Sequence, residues 1–320
     1  MTSGQDCRLK VASQLGGGYD RAVQAEVGDL FALTPIPRGT LTENPGECEA
    51  LFAYPFHRAG QAPAPRPAGW PWDITWVQLL SSGLDAYPDW LFDGPVVTSA
   101  RGTLAIPIAE FCMAVIFAAA KRLPEVWIDN PHDWALKPLD GLEGRTLGLF
   151  GFGAIGEAIA RRALAFGMDV CAVRASDRPM IDGVRRVDGI DDLLAVSDHL
   201  VLAAPAGAGT DRVISTRSLT FAKPGLHLVN VARGALIDDA ALLAALDDGR
   251  ISLASLDVTD PEPLPVGHPF YTHPRIRLSP HTSVMVPDAQ ARVAAIFAAN
   301  VRRRIAGEPL LNIVERQRAG

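Results

Sequence analysis

The chain has 320 residues, of which 48% are hydrophobic and 21% charged, with a net charge of −6. A chain of this length can form two domains, each with its own core, and it contains no long polar tract typical of disorder. Its arginines are scattered among acids, which argues against nucleic acid as a partner, because nucleic-acid binding needs a concentrated basic face. The densest basic run, 302–304, is explained as a solvated helix face.

Membrane insertion and secretion are not expected from the sequence. The first ten residues lack the apolar core of a secretory signal, and the most apolar stretch, 106–123, contains Glu110 and is too short to span a bilayer. The cysteines have no motif spacing and two lie in predicted core elements, which favours reduced thiols. They are Cys7, Cys48, Cys112 and Cys171. The sequence therefore predicts a soluble, cytoplasmic α/β protein.

Short apolar strands alternate with helical patterns along most of the chain, which predicts parallel sheets with helices on both faces. Five strands are predicted in the first third, at 9–13, 30–33, 50–54, 74–80 and 95–99. The proline-rich stretch at 61–72 is predicted to be a loop within this domain, because strand patterns continue on both sides of it. The glycine-rich segment 15–19 is predicted to be a flexible strand-to-helix loop that could line a cleft.

A helix predicted over 104–122 leads into a second set of six strands, at 146–150, 169–173, 199–204, 226–231, 252–258 and 276–279. The helices between and after them are predicted to start near Ile155, Ile190, Asp238 and Pro287. Six strands in this rhythm are what a complete doubly wound nucleotide-binding domain requires. The last helix has no strand after it, so it could return to the first domain. The predicted division is a Rossmann-type dinucleotide-binding domain at 104–286, inserted into a discontinuous substrate domain at 1–103 and 287–320.

A glycine-rich turn follows the strand at 146–150. Gly151, Gly153 and Gly156 form G-x-G-x-x-G at the head of a helix that Ala154 and Ile155 open. The first glycine permits the tight turn, the second lets the backbone approach a pyrophosphate, and the third lets the helix pack against the strand. Amides at the helix N-terminus then face the anion. This context predicts a dinucleotide site.

The next strand ends at Arg174, where a strand of this kind usually ends in an acid that accepts a hydrogen bond from a ribose 2′-hydroxyl. An arginine cannot accept that bond, but it can stack on adenine and donate to a 2′-phosphate, and Ser176 and Arg178 can add donors. In the alternative, Arg174 and Arg178 are solvated and Asp177 binds the ribose, although it lies three residues beyond the position that the usual geometry requires. We therefore predict that NADP(H) is favoured over NAD(H).

Polar residues follow three successive strands of the second set: Arg233, then Asp257 and Glu262, then His281. A lone polar residue in a loop is usually a surface residue, but these are expected at the one sheet edge where ligands bind. Arginine offers a planar fork that matches a carboxylate, and histidine exchanges protons near neutral pH. A carboxylate beside that histidine would fix its tautomer and stabilise the imidazolium.

The histidines also raise the possibility of a metal site, because His268, His273 and His281 fall close together. Their spacings of five and eight residues match no ligand motif, and no cysteine or paired acid completes a set. No metal is therefore expected. His268 and His273 each precede a proline and are predicted to be loop residues.

The chain resembles the D-isomer-specific 2-hydroxyacid dehydrogenases over nearly its whole length. The resemblance rests on LGLFGFGAIGEAIA, NVARGALIDDAAL, LDVTDPEPLP with HPF after it, and SPHTS, in that order. Weaker matches are SSGLDAYPDW at 81–90 and AEF at 109–111. The resemblance implies a substrate domain made of the two chain ends, a cofactor domain between them, and an active site in the cleft.

The resemblance also implies roles for individual residues. Arg233 would bind the substrate carboxylate and carbonyl, His281 would donate the proton, and Glu262 would pair with His281. The remaining implied contacts are backbone amides of Ser82 and Gly83 to the carboxylate, Asp257 to the nicotinamide amide, and Ala204, Pro205, Val231 and Ala232 to the nicotinamide half. The helix at 104–122 would help to form a two-fold homodimer.

The predicted activity is hydride transfer from NADP(H) to a small 2-oxo acid such as glyoxylate or hydroxypyruvate. Two alternatives remain open: a non-catalytic dinucleotide-sensing regulator, and a dehydrogenase of another small anion, formate or phosphite. Besides Arg174, the chain departs from the family's pattern in having Thr and Ser after His281. The loops 53–60 and 69–76 match nothing specific and would shape the substrate pocket, so the sequence does not identify the 2-oxo acid.

Overall fold

A computed structural model of the chain describes residues 8–39, 41–56, 63–207 and 209–315. Compact packing divides it into two units, Met1–Leu104 with Val286–Gly320, and Ala105–Met285. Each unit contains one parallel sheet, of five and seven strands respectively, so the predicted α/β class is confirmed. Within the described residues, no helix is both long enough and apolar enough to cross a membrane.

The strands, in chain order, are β1 Leu9–Ser13, β2 Phe31–Pro35, β3 Ala50–Ala53, β4 Trp76–Leu79, β5 Val96–Thr98, β6 Thr146–Phe150, β7 Asp169–Val173, β8 Val184–Arg186, β9 His199–Leu202, β10 Leu226–Asn230, β11 Ile251–Leu256 and β12 Ile276–Leu278. The helices are α1 Gly17–Val27, α2 Ala105–Ala120, α3 Ala154–Ala165, α4 Ile190–Val196, α5 Asp239–Asp247 and α6 Ala289–Ala306. Short 3₁₀ turns occur between several of them.

The first unit is built on a sheet with the order β2-β1-β3-β4-β5. Phe52 of β3 packs edge-on against Trp76 and Phe297, with ring centroids 5.9 Å and 5.0 Å away. The second of these rings belongs to α6, which packs against α1. A buried Asn300 of α6 also donates a 2.8 Å hydrogen bond to Gln78 of β4. The last helix is therefore part of the core of the first unit.

The proline-rich loop of the first unit is anchored by aromatic packing where the structure describes it. Trp70 and Trp90 lie 5.0 Å apart between ring centroids, and Phe56 lies 5.6 Å from Trp90. The Trp90 indole N–H donates to the carbonyl of Ala64. These contacts anchor Trp70 of segment 69–76, whereas residues 57–60 of the other unmatched loop lie outside the described residues.

The second unit has the strand order β12-β11-β10-β9-β6-β7-β8. The order reverses between β6 and β9, and in open parallel sheets ligands bind outside the carboxyl ends of the strands at such a reversal. We predicted six strands here, and the structure has seven. The additional strand β8 has three residues, and two of them are exposed arginines at the sheet edge. It therefore lacks the apolar run on which strand prediction depends.

A chain of buried polar side chains crosses three strands of this sheet. His199 Nδ1 of β9 lies 3.1 Å from His227 Nδ1 of β10, and His227 Nε2 lies 2.9 Å from Ser255 Oγ of β11. Burial lowers the pKa of His199 to about 4, and burial together with its neighbour lowers the pKa of His227 to about 3. Both rings are therefore neutral near pH 7.

The described cysteines Cys48, Cys112 and Cys171 are free and buried, while Cys7 lies outside the described residues. Burial raises the pKa of each of these thiols, so all three stay protonated at neutral pH.

Candidate active site

The glycine turn after β6 has the close contacts that its sequence predicts. Gly151 has φ 106°, and a Cβ there would lie 2.5 Å from the backbone nitrogen of Ala204. A Cβ at Gly156 would lie 2.4 Å from the Gly151 carbonyl oxygen. Around Gly153, by contrast, no heavy atom of the described residues other than its two chain neighbours lies within 4 Å of where a Cβ would be. The turn is therefore packed tightly on the protein side and open at the glycine expected to meet a pyrophosphate.

Helix α3 begins at Ala154, directly after this turn, and its N-cap Gly153 makes no side-chain capping bond. The first helical hydrogen bond is donated by Glu157 N to Gly153 O, so the amides of Ala154, Ile155 and Gly156 precede the helical ladder. Amides in this position attract anions. The turn and helix start therefore fit a dinucleotide, whose pyrophosphate these backbone groups would hold.

Four residues predicted to contact the nicotinamide half follow neighbouring strands of the same sheet. Ala204 and Pro205 come after β9, and Val231 and Ala232 come after β10. All but Pro205 are buried, and Gly151 packs closely against the backbone of Ala204. The structure thus brings this group to the strand-order reversal beside the glycine turn.

Arg174 is folded back onto that turn. Its Nε donates to the Phe152 carbonyl at 2.7 Å, its Nη1 donates to the Pro179 carbonyl at 2.5 Å, and its Nη2 forms an ion pair with Glu157. Its guanidinium also lies over the Phe152 ring. The side chain is only 8% exposed, so the alternative in which Arg174 is solvated is wrong.

The other two predicted donors of this loop are placed differently. Ser176 and Arg178 are exposed, as is Asp177. Arg186 of β8 donates to the carbonyls of Arg174 and Ser176, at 2.9 and 3.1 Å, and so braces the loop from the sheet edge. Neither this brace nor the partner Glu157 was singled out in the sequence, and a carboxylate one residue after the third glycine was the available signal for the latter.

His281 and Glu262 form a hydrogen-bonded pair, with Nδ1 3.0 Å from Oε2. The other carboxylate oxygen of Glu262 accepts from the Thr259 backbone N–H at 3.1 Å. The two side chains are 44% and 35% exposed, so solvent reaches the pair. Because Nδ1 faces the carboxylate, Nε2 is the ring nitrogen left to exchange a proton with a ligand.

The pairing shifts the pKa of both side chains. The hydrogen bond that His281 donates to Glu262 raises the pKa of His281 above its usual value, although burial and the charge of Arg233 act in the opposite direction. Burial alone would raise the pKa of Glu262, but His281, the Thr259 amide and Arg233 outweigh it, so the pKa of this carboxyl is lowered. The pair is therefore an ionised carboxylate that favours a protonated imidazole.

Asp257 is buried and holds the loop that carries His281. Its carboxylate accepts from Ser279 Oγ at 2.5 Å and from the backbone amides of Thr282 and Ser283 at 2.9 and 3.0 Å. Its carbonyl accepts from the His281 amide at 2.8 Å. These bonds keep His281 at φ 52°, a left-handed conformation that a non-glycine residue rarely adopts. The predicted contact of Asp257 with a nicotinamide amide stays a prediction.

Arg233 follows β10 in a turn that Asn230 closes. The buried Asn230 side chain donates to the Arg233 carbonyl at 2.8 Å and accepts from the Ala232 amide at 3.0 Å. The charge of Arg233 acts on both Glu262 and His281, which places it in their vicinity. We did not single out Asn230 from the sequence, where it is merely the last residue of a buried strand.

Ser82 and Gly83 belong to the first unit, in the loop after β4. Ser82 Oγ donates to the Ala100 carbonyl at 3.2 Å, and Ser81 Oγ donates to the Gly83 carbonyl at 2.7 Å. Side chains thus order this loop from both sides. The predicted part of Ser82 and Gly83 in substrate binding stays a prediction.

His268 and His273 are engaged elsewhere. His268 Nδ1 accepts from the Phe270 amide, and the His273 ring lies 3.3 Å from an Asp247 carboxylate oxygen. Across the part of the chain that the structure describes, no group of three or more His, Cys, Asp or Glu side chains is arranged to hold a metal ion.

Residues 113–283 match the model of the D-isomer specific 2-hydroxyacid dehydrogenase NAD binding domain. The chain is 33% identical to the glyoxylate reductase of Aeropyrum pernix over 236 residues, which are 70% of each protein. It is also 33% identical to the D-3-phosphoglycerate dehydrogenase of Methanocaldococcus jannaschii over 227 residues, 69% of this chain but only 43% of that relative. The chain thus spans less than half of the latter protein.

Among solved structures, the chain is similar to a D-isomer specific 2-hydroxyacid dehydrogenase from Xanthobacter autotrophicus Py2, crystallised in complex with NADPH and MES. The TM-score is 0.78 at 25% identity, and the match covers 97% of this chain and 98% of that one. With the family model and the glyoxylate reductase match, this shows that the chain belongs to the D-isomer specific 2-hydroxyacid dehydrogenase family.

Proposed function

We propose that the protein reduces a small 2-oxo acid of the glyoxylate or hydroxypyruvate type with NADP(H). The observation that carries this proposal is the His281–Glu262 pair, 3.0 Å apart, at the same sheet edge as the glycine turn and within the field of Arg233. The name of the Aeropyrum pernix relative, glyoxylate reductase, supports the choice of substrate class.

The bound nicotinamide would supply the hydride in this reaction. His281 would donate the proton from Nε2 to the carbonyl oxygen, because Nδ1 is held by Glu262. Glu262 would stabilise the imidazolium before transfer and keep the ring oriented. Arg233 would grip the substrate carboxylate with its planar fork and polarise the carbonyl, while the amides of Ser82 and Gly83 would add hydrogen bonds to the carboxylate.

Within this proposal, Asn230 and Asp257 are positioning residues. Asn230 closes the turn before Arg233, and Asp257 ties down the turn around His281. Effective orientation of reacting groups contributes a large part of enzymatic rate enhancement, and a displacement of about 1 Å can lower rates by about 10²-fold. Both buried side chains therefore serve the chemistry without touching the substrate.

The preference for NADP(H) rests on the loop after β7. No acid stands at the end of that strand to accept from a ribose hydroxyl, and Ser176 and Arg178 are exposed donors in the same loop. Arg174 has three N–H groups bound to protein acceptors, so at most two of its five remain for a phosphate. A relative from Xanthobacter autotrophicus Py2 was crystallised with NADPH and one from Lactobacillus delbrueckii ssp. bulgaricus with NAD, so the proposed preference rests on this loop.

We also propose a homodimer that uses helix α2 and the segment after it. Large apolar side chains are exposed there, namely Ile106, Leu123, Trp127, Ile128, Trp134, Leu136 and Leu139. Exposed apolar surface of this extent in one segment is typical of a protein interface. Sedimentation at micromolar concentration is expected to show twice the chain mass, and a monomer at all concentrations would exclude this assembly.

The test of the proposed function follows NAD(P)H absorbance with a panel of 2-oxo acids, formate and phosphite. We expect turnover with glyoxylate or hydroxypyruvate and a preference for NADPH of roughly ten- to hundredfold in kcat/KM, since one charge-assisted hydrogen bond contributes about 1.5–3 kcal/mol. Dinucleotide binding without turnover on any substrate would instead favour a regulator. Oxidation of formate or phosphite alone would favour the other alternative.

A further inference from the structure

A carboxylate stands where the proposed cofactor site needs positive charge. Glu157, in the first turn of α3, forms an ion pair with Nη2 of Arg174. The Arg174 side chain is nearly buried, at 8% exposed, and that of Glu157 is 35% exposed. An ion pair shielded in this way is screened less by solvent than a surface pair. In the protein without cofactor, the charge of Arg174 is therefore largely neutralised from within.

We propose that Glu157 is a specificity-determining residue that restrains the affinity for NADPH by competing with the 2′-phosphate for Arg174. The inference rests on the proposed use of NADP(H) and names the residue that sets its strength. A 2′-phosphate is a dianion near neutral pH, so a carboxylate on the same guanidinium repels it. NADH carries no such group, and its binding does not feel this competition.

The contacts of Arg174 explain why Glu157 is not needed to place it. The Phe152 and Pro179 carbonyls already accept from Nε and Nη1, and the Phe152 ring lies under the guanidinium at 4.9 Å. These contacts hold the arginine beside the glycine turn whether or not the carboxylate is charged. Glutamine at 157 keeps an oxygen that can accept from Nη2 and removes only the negative charge.

The experiment measures dissociation constants of NADPH and NADH by fluorescence titration, without a 2-oxo acid, in the wild type and Glu157→Gln. We expect Glu157→Gln to bind NADPH about three- to tenfold more tightly and NADH nearly unchanged, because one partly shielded like charge is removed. The matched control is Asp191→Asn. Asp191 is also an acid in the first turn of a helix of the same unit, and it pairs with Arg217 at 2.9 Å. Its side chain is 30% exposed, close to Glu157, but its arginine partner is 76% exposed and lies outside the proposed cofactor loop.

A second arm places Glu157→Gln in an Arg174→Ala background. If the two residues act through one another, the gain for NADPH should shrink to near zero there, as double-mutant cycles reveal for coupled pairs. The proposal is overturned by unchanged or weaker NADPH binding in Glu157→Gln, by an equal gain for NADH, or by a gain that persists without Arg174. Loss of NADPH binding would show instead that Glu157 positions the arginine.

These outcomes are separate from those of the proposed function. Wild-type protein that binds NADPH but reduces no 2-oxo acid would refute the proposed activity and leave the competition measurable. Wild-type protein that binds neither dinucleotide would refute both.

Discussion

Two histidine pairings in and beside the same parallel sheet shift the pKa of the imidazole in opposite directions. His281 follows β12, pairs with the carboxylate of Glu262, and has a raised pKa. His199 and His227 lie within neighbouring strands, pair with each other, and have pKa values lowered to about 4 and about 3. The partner and the access of solvent, not the residue type, decide which histidine can serve as an acid near neutral pH.

The largest expected effect is a loss of activity, and it distinguishes the His281–Glu262 pair from the His199–His227 pair. His281→Ala should lower kcat/KM for the 2-oxo acid by about 10²- to 10⁴-fold, the usual contribution of a positioned general acid. Dinucleotide affinity should hardly change, because the glycine turn is untouched. Steady-state rates and fluorescence titration on the same preparation check both statements. An alanine variant that retains more than about half of the wild-type rate would remove the proton-donor role.

His227→Ala is the matched variant inside the sheet. It leaves His199 and Ser255 without their buried partner, so it should lower the free energy of unfolding by about 1–3 kcal/mol. The rate per folded molecule should stay near that of the wild type. A His227→Ala variant with normal stability and reduced activity would reverse the distinction between the two pairs.

The second prediction concerns the stability of the protein at acidic pH. The folded pKa values of His199 and His227 lie below the usual 6.5, so the unfolded chain binds more protons between about pH 6.5 and 4. Each ring contributes stability above its unfolded pKa, and the free energy of unfolding should fall by up to about 1.4 kcal/mol per pH unit and ring as pH drops through that window. His281, with its raised pKa, acts with the opposite sign: its contribution is present at low pH and is lost as pH rises.

Urea unfolding at a series of pH values checks this expectation. A variant with His199→Leu, His227→Leu and Ser255→Ala removes all partners of the network together, which avoids an unpaired buried group. Its stability should depend less steeply on pH than that of the wild type, whereas His281→Ala should retain the steep acid dependence. Equal slopes in the wild type and the triple variant would show that the buried pair does not govern acid unfolding.

The smallest expected effect tests how the Glu262 carboxylate controls the protonation of His281. Because the hydrogen bond donated to the Glu262 carboxylate raises the pKa of His281, Glu262→Gln should lower that pKa. The protonated donor would then be lost earlier as pH rises, so the alkaline limb of kcat/KM should move to lower pH. At acidic pH the variant should retain most of its rate. An alkaline limb at unchanged pH would show that Glu262 does not raise the pKa of His281.

Much of the fold follows from the sequence because its strands are buried runs of apolar residues. The predicted bounds of β6 and β7 agree with the structure residue for residue, and G-x-G-x-x-G lies between them where the helix begins. The edge strand β8 was missed because its residues are mostly exposed and polar. Helix α1 begins at Gly17, inside a segment predicted to be a flexible loop, because glycine is a poor helix former and gives little local signal.

The candidate site was predicted less completely, and the reason is distance along the chain. The pairing of His281 with Glu262 was expected, and the structure brings the two within 3.0 Å. The ion pair of Glu157 with Arg174 and the hydrogen bonds of Asn230 were not expected, since nothing local marks these side chains as partners.

Gly234 limits how this site can be redesigned. A Cβ there would lie 2.0 Å from the carbonyl carbon of Thr259, so the turn carrying Arg233 and the segment leading to Glu262 touch through bare backbone. Even alanine at 234 would push the two apart, and the shift would pass to both functional side chains. Laboratory evolution of this protein should therefore accept few changes in either segment.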